Sequence, residues 1–145
     1  MQDIKNFQIK WATCFENVKF KHYPQISRTK MKYPTIYSWQ VFENKKLKSI
    51  YIGETVDIGR RFYHYKNPGV SQKTNKRIKQ ELTEKEKSGF IINFCELDFD
   101  GLKFNNSLCI SKDGFENKSN RLIIENLVIL HYRNQAIEIL NNGIK

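Results

Sequence analysis

No stretch of this 145-residue chain is apolar for long enough to span a bilayer, and its first residues carry no signal-peptide pattern, so a cytoplasmic protein with no membrane partner is expected. Cysteine is scarce. Cys14, Cys95 and Cys109 are scattered, odd in number and without CxxC spacing, which argues against a disulfide framework and against a zinc site. Cys14 and Cys95 lie among apolar residues and read as core. Gly/Ser linkers, internal repeats and low-complexity tracts are missing too, so the chain is read as one domain with a sizeable core. Acidic side chains are outnumbered, 15 against 25 Lys and Arg, which leaves a net charge of +10. That excess on so small a domain implies a polyanionic partner, nucleic acid or an anionic surface, with a solvated lysine-rich face as the plainer alternative.

Residues 1–34 form a basic and aromatic extension (Phe7, Lys10, Trp11, Phe15, Lys19, Phe20, Lys21, Tyr23), and residues 35–145 form the main domain. The runs TIYSWQVF and LKSIYIG, joined by ENKK, predict an antiparallel hairpin. Asp57 is placed to cap a helix through IGRRFYHYK that stops at NPG, Asn67–Gly69. TNKRIKQELTEKEK predicts an exposed helix ending at Gly89, and FIINFCEL a third strand. Residues 98–118 read mostly as loop. SNRLIIENLVILHYR follows as an apolar helix capped by Ser119 or Asn120, and QAIEILNNG as a short helix or turn. The order implies an α+β fold, a central three-stranded antiparallel sheet flanked by helices.

Alternation along the strands puts Tyr37 and Tyr51 on one face when the hairpin turn around Asn44 to Lys46 is odd in length, with Ile36, Phe42, Ile50 and Ile52 on the other. Gly53 leaves space beside the tyrosines. On the following helix Arg61 and Tyr65 share a face, as do Arg60 and His64. A guanidinium matches phosphate oxygens and stays charged at any working pH. Glu125 has apolar helical neighbours in Leu122, Val128 and Ile129, so its carboxylate either pairs with a base such as Arg121 or serves a site. One carboxylate with waters and a substrate phosphate is a usual way to hold Mg²⁺. A proton acceptor, a cationic clamp and a metal-binding carboxylate are together the parts of phosphodiester hydrolysis.

In this order, TIY (Thr35–Tyr37), YIGET (Tyr51–Thr55), RRFYHY (Arg60–Tyr65) and Glu125 within RLIIEN, the sequence resembles the GIY-YIG nuclease superfamily from Thr35 to about Asn142. Thr35 stands where the family has glycine, and a family proline near the final asparagine is missing. The resemblance implies a metal-dependent DNA endonuclease in which Glu125 binds Mg²⁺ or Mn²⁺ and Arg61 stabilises developing charge. Tyr37 or Tyr51 would help deprotonate water, with Tyr65 hydrogen-bonded nearby. The family asparagine matches Asn141, with Asn142 and Asn134 as rivals. Arg60, His64, Lys73, Lys76 and Arg77 are the expected DNA contacts. The partner is double-stranded DNA, and a standalone enzyme of phage or restriction type would act as a homo-oligomer, dimer or tetramer. The alternatives are a catalytically silent nucleic-acid-binding module and a structure-selective repair nuclease.

Overall fold

The computed structural model describes residues 8–25, 30–104 and 107–141, without the Phe104 side chain. Within them lies an α+β arrangement built on a five-stranded sheet in the order β1-β4-β2-β3-β7. The strands are β1 (Trp11–Phe15), β2 (Thr35–Glu43), β3 (Lys46–Thr55), β4 (Ile91–Leu97) and β7 (Glu138–Ile139). The helices are α1 (Ile58–Lys66), α2 (Lys73–Lys87) and α3 (Lys118–Arg133). A separate hairpin, β5 (Gly101–Phe104) with β6 (Ser107–Ser111), and a 3-10 turn, Lys112–Glu116, precede α3. No helix among the described residues is long and apolar enough to cross a membrane.

The expected antiparallel trio β3-β2-β4 is present, but the sheet is wider than three strands. β1, from the basic extension, pairs antiparallel with β4, and β7 pairs parallel with β3. The Trp11–Phe15 part of the extension therefore belongs to the sheet. Val18 and Tyr23 are buried in the core, and Trp11 Nε1 donates to Tyr132 Oη at 2.8 Å, tying β1 to α3. Within the stretch expected as loop lie β5, β6 and the 3-10 turn. Leu102 and Ile110 face inward from β5 and β6 and bury against α3. The C-terminal stretch is a strand rather than a helix or turn, because Ile139 pairs with Ile50 and the Leu140 N–H donates to the Ile50 carbonyl.

A local irregularity sets which side chains share the tyrosine face. The β2–β3 turn is two residues long, with Asn44 and Lys45 at φ 51° and 66°, the left-handed geometry that tight hairpins demand. Such an even turn alone would place Tyr51 opposite Ser38, on the wrong face. The register shifts between Val41 and Phe42, where β3 carries one extra residue, so Tyr37 lies opposite Gly53 and Trp39 opposite Tyr51. The odd offset expected from the sequence is thus made by a bulge. Ile36, Ile50 and Ile52 take the other face as expected, while Phe42 is only half-buried.

The sheet separates two cores. On one face Tyr37, Trp39, Tyr51 and Phe94 pack against Ile58, Phe62 and Tyr65 of α1 and Ile78 and Leu82 of α2. On the other, Ile36, Ile50 and Ile52 pack against Ile124, Val128 and Ile129 of α3. Asp57 caps α1 as expected, accepting from the Arg60 N–H at 3.0 Å. α3 is capped instead by Asn117, whose side chain accepts from the Ser119 and Asn120 N–H groups. Gly89, at φ 94°, follows α2.

Candidate functional site

β2 supplies Tyr37, β3 supplies Tyr51 and Gly53, and α1 supplies Tyr65. The Tyr37 and Tyr65 hydroxyls are 2.9 Å apart and wholly buried. The Tyr37 ring lies 6.3 Å from that of Tyr51 and 6.2 Å from that of Tyr65. Gly53 is required by this packing. A Cβ built there would meet the Tyr37 Cζ and Oη at 2.5 Å, so the space beside the glycine is filled by the phenol of Tyr37 itself.

Thr55 closes β3 and launches α1. Its hydroxyl accepts from the Asp57 N–H at 3.1 Å and donates to the Asp57 carbonyl at 3.0 Å. The first amides of α1 are satisfied as well, since Ile58 and Gly59 donate to the Tyr33 and Met31 carbonyls. That end of α1 is fixed by backbone bonds and is not an open anion cradle. The cationic group it delivers is the half-buried Arg61, which makes no ion pair among the described residues. Arg61 acts electrostatically on Tyr37, Tyr51, Tyr65 and Glu125 alike.

Glu125 comes from α3, on the opposite face of the sheet, and is half-buried. Its charge reaches both Tyr51 and Tyr37. Burial, then repulsion by Glu54, pushes its carboxyl up to about 7, while the Glu54 main chain, Arg61 and Lys118 pull it down. Arg121, the base available one turn away, pairs with Glu54 at 2.9 Å instead. Glu125 is therefore a partly desolvated carboxylate with no ion pair among the described residues. That state suits a hard divalent cation held by one carboxylate and waters. No group of three or more His, Cys, Asp or Glu side chains that could hold a metal occurs among the described residues.

Burial also pushes the hydroxyls of Tyr37, Tyr51 and Tyr65 above the ordinary phenol range, and Arg61 opposes the rise in each. All three are protonated donors in the free protein near neutral pH. Tyr51 is the most exposed of them, at 9 %, and Arg77 adds to the cationic influence on it. The cysteines offer no nucleophile in the core. Burial raises Cys14 to about 12 and Cys95 to about 11, well away from a reactive thiolate.

Asn141 does not point its amide at the carboxylate. Its Oδ1 accepts from the Ile52 N–H at 3.0 Å and its Nδ2 donates to the Ile52 carbonyl at 2.6 Å. The side chain thereby extends the β3–β7 pairing by one residue and pins the strand between Tyr51 and Gly53. Asn134 is the exposed C-cap of α3, and Asn142 lies outside the described residues.

The expected DNA contacts separate into groups. Arg60 and His64 lie away from the tyrosines and line a cleft of about 240 Å³ with Lys32, Asp57 and Tyr63. His64 Nδ1 is 3.1 Å from Gln72 Nε2. Lys73 and Lys76 are exposed on α2. Arg77 is held down, donating to the Leu140 carbonyl at 2.9 Å and pairing with Glu81 at 3.3 Å. The structure adds Glu54, Arg121 and Lys118 to the neighbourhood of Glu125. Glu54 sits directly after the YIG motif and Arg121 one turn before Glu125, so both were in view in the sequence, but their pairing depends on how β3 meets α3.

Comparison of the chain with protein-family models, curated proteins and solved structures found no match.

Proposed function

We propose that the chain is a metal-dependent endonuclease that hydrolyses DNA phosphodiester bonds. The observation carrying this reading is that Tyr37, Tyr51 and Tyr65 pack into one cluster, and that Arg61 and Glu125, from elements on opposite faces of the sheet, both act electrostatically on its Tyr37 and Tyr51. Arg61 is the charged fork for a phosphate oxygen. Glu125 holds the cation, Mg²⁺ or Mn²⁺, which supplies Lewis-acid polarisation of the phosphate and an acidified water. Tyr37, hydrogen-bonded to Tyr65 and packed against Gly53, orders the cluster. Tyr51, the least buried and the one on which both Arg61 and Arg77 act, shares a proton with the attacking water. Asn141 acts through Ile52 by holding Tyr51 and Gly53 in register. A double-stranded DNA substrate fits the net charge of +10, and the GIY-YIG resemblance of the motifs agrees with the roles. Two copies acting together would serve an enzyme that cuts both strands.

The test is plasmid cleavage with Mg²⁺ or with EDTA, using wild-type, Glu125→Ala and Arg61→Ala proteins. Metal-dependent nicking or linearisation that is lost in both variants is expected, by 10²-fold or more (roughly the loss when one transition-state charge stabiliser is removed). Salt-sensitive DNA binding by a wild-type protein that never cuts would favour the catalytically silent module. Full cleavage by Glu125→Ala would remove the metal assignment.

A further inference from the structure

One ion pair, between β3 and α3, is largely buried. The Arg121 and Glu54 side chains are 6 % and 17 % exposed, and Arg121 Nε donates to Glu54 Oε1 at 2.9 Å. The same guanidinium donates through Nη1 to the Phe115 carbonyl at 2.7 Å and to the Glu116 carbonyl at 3.4 Å. These bonds join three elements: the end of β3 just past Gly53, the 3-10 turn, and the first half of α3. β3 and α3 also carry Tyr51 and Glu125.

Helical spacing alone would give Arg121 to Glu125. The two are four residues apart, where an arginine and a glutamate ordinarily meet. In the structure the guanidinium is turned to Glu54, and Glu125 is left without an ion pair among the described residues. The two carboxylates thus differ in compensation. Both are half-buried, but Glu54 has a guanidinium bonded to it, whereas Glu125 has no ion pair among the described residues.

We propose that Glu54 is a positioning residue that holds Arg121 away from Glu125, so that Glu125 alone remains open to a divalent cation. The proposal rests on the metal-dependent reading above. A buried guanidinium deprived of its carboxylate does not stay unpaired, because an uncompensated charge in that setting is costly. With Glu54 neutralised, the carboxylate in helical register is Glu125, and Arg121 then competes with the cation for it. Glu54 itself is not a second metal ligand in this arrangement, since its charge is already met by Arg121.

The experiment is calorimetric titration of Mn²⁺ into the full chain without DNA, for wild type, Glu54→Gln, Arg121→Gln and the double variant, with thermal melts alongside. Glu54→Gln is expected to weaken Mn²⁺ binding by about 10-fold or more, the usual scale for an outer partner of a metal ligand. Arg121→Gln is expected to bind Mn²⁺ at least as tightly as wild type, and the double variant to recover most of the loss. That recovery separates competition from mere loss of structure, which would be no better in the double variant. Unchanged affinity in Glu54→Gln, a weakened Arg121→Gln, or a double variant as weak as Glu54→Gln would each overturn the proposal while leaving the metal reading intact. A wild-type protein that binds no Mn²⁺ would overturn the metal reading and this inference with it.

Discussion

At Glu125 the carboxylate that the proposed cation would need is one that folding disfavours. Burial, which disfavours the charge, and repulsion by Glu54 push the Glu125 carboxyl up to about 7 from an ordinary value of 4.5. The folded state therefore binds more protons than the unfolded state between those two values. Stability falls as pH rises through that window, and the full deficit is present above it. Because the side chain is partly exposed, the deficit is discounted to about 1–2 kcal/mol. Glu125→Gln should then raise the Tm of the metal-free protein by a few degrees at pH 8 and leave it nearly unchanged at pH 4, as read by thermal melts at both values. A gain of equal size at pH 4, or a loss at pH 8, would refute the desolvated carboxylate. The same reasoning makes Mn²⁺ raise the Tm of wild type and not of the variant, since a cation that binds only the folded state stabilises it.

The residues of the tyrosine cluster were legible in the sequence because helical spacing and motif order report on local geometry, whereas the shared face of Tyr37 and Tyr51 is made by a bulge and not by the odd turn expected. The partner of Arg121 was not, because an i,i+4 pair and a cross-element pair look identical in one dimension. Leu122 shows the same limit. It continues the apolar pattern around Glu125 but is 39 % exposed, since the stripe of α3 that meets the sheet is narrower than the pattern.

Among the elements, those missed are the ones whose pairing is non-local. β1 finds β4 across some eighty residues of sequence, and β7 finds β3 across a similar gap. Neither is long enough for its own periodicity to announce it. The β5–β6 hairpin did carry a signal, with Leu102 and Ile110 each followed by a polar residue, but its Asn- and Ser-rich surroundings resemble loop. β7 is secured mainly by side chains rather than by its two-residue ladder. Ser49 Oγ donates to Glu138 at 2.8 Å, Lys85 pairs with the same carboxylate at 3.2 Å, Arg77 holds the Leu140 carbonyl, and Asn141 holds both backbone groups of Ile52. Removing the Asn141 amide leaves the Ile52 N–H and carbonyl unpaired. Asn141→Ala should destabilise the fold by about 1–3 kcal/mol and speed amide exchange at Ile52, while Mn²⁺ affinity stays as in wild type. Asn134→Ala, at an exposed helix end, should stay within about 0.5 kcal/mol. Urea unfolding with residue-resolved exchange reads both. If Asn141→Ala weakens Mn²⁺ binding yet leaves the unfolding curve untouched, the side chain belongs to the metal site and not to the strand.

Across the whole molecule the net charge of +10 is a statement about partners, and the structure divides the cations by availability. Lys73 and Lys76 are exposed one turn apart on α2, free to meet successive phosphates. Arg77, adjacent to them in sequence, is committed to the Leu140 carbonyl and to Glu81. A count of basic residues along KTNKR would credit all three with DNA contacts. Counterion release distinguishes them, because each phosphate contact adds about 0.9 to the slope of log affinity against log salt. Replacing both Lys73 and Lys76 by alanine should lower that slope by about 1.8, measured by fluorescence anisotropy with a duplex in EDTA so that no strand is cut. Arg77→Ala should leave the slope where it was and instead lower the Tm, because its loss leaves Lys85 as the remaining side-chain tie between α2 and the C-terminal strand. A slope that drops by about 0.9 in Arg77→Ala with an unchanged Tm would mean that the guanidinium leaves Leu140 for the DNA backbone. In that event α2 would contribute a continuous three-residue track to binding, and the path of the duplex would run along the helix toward Tyr51.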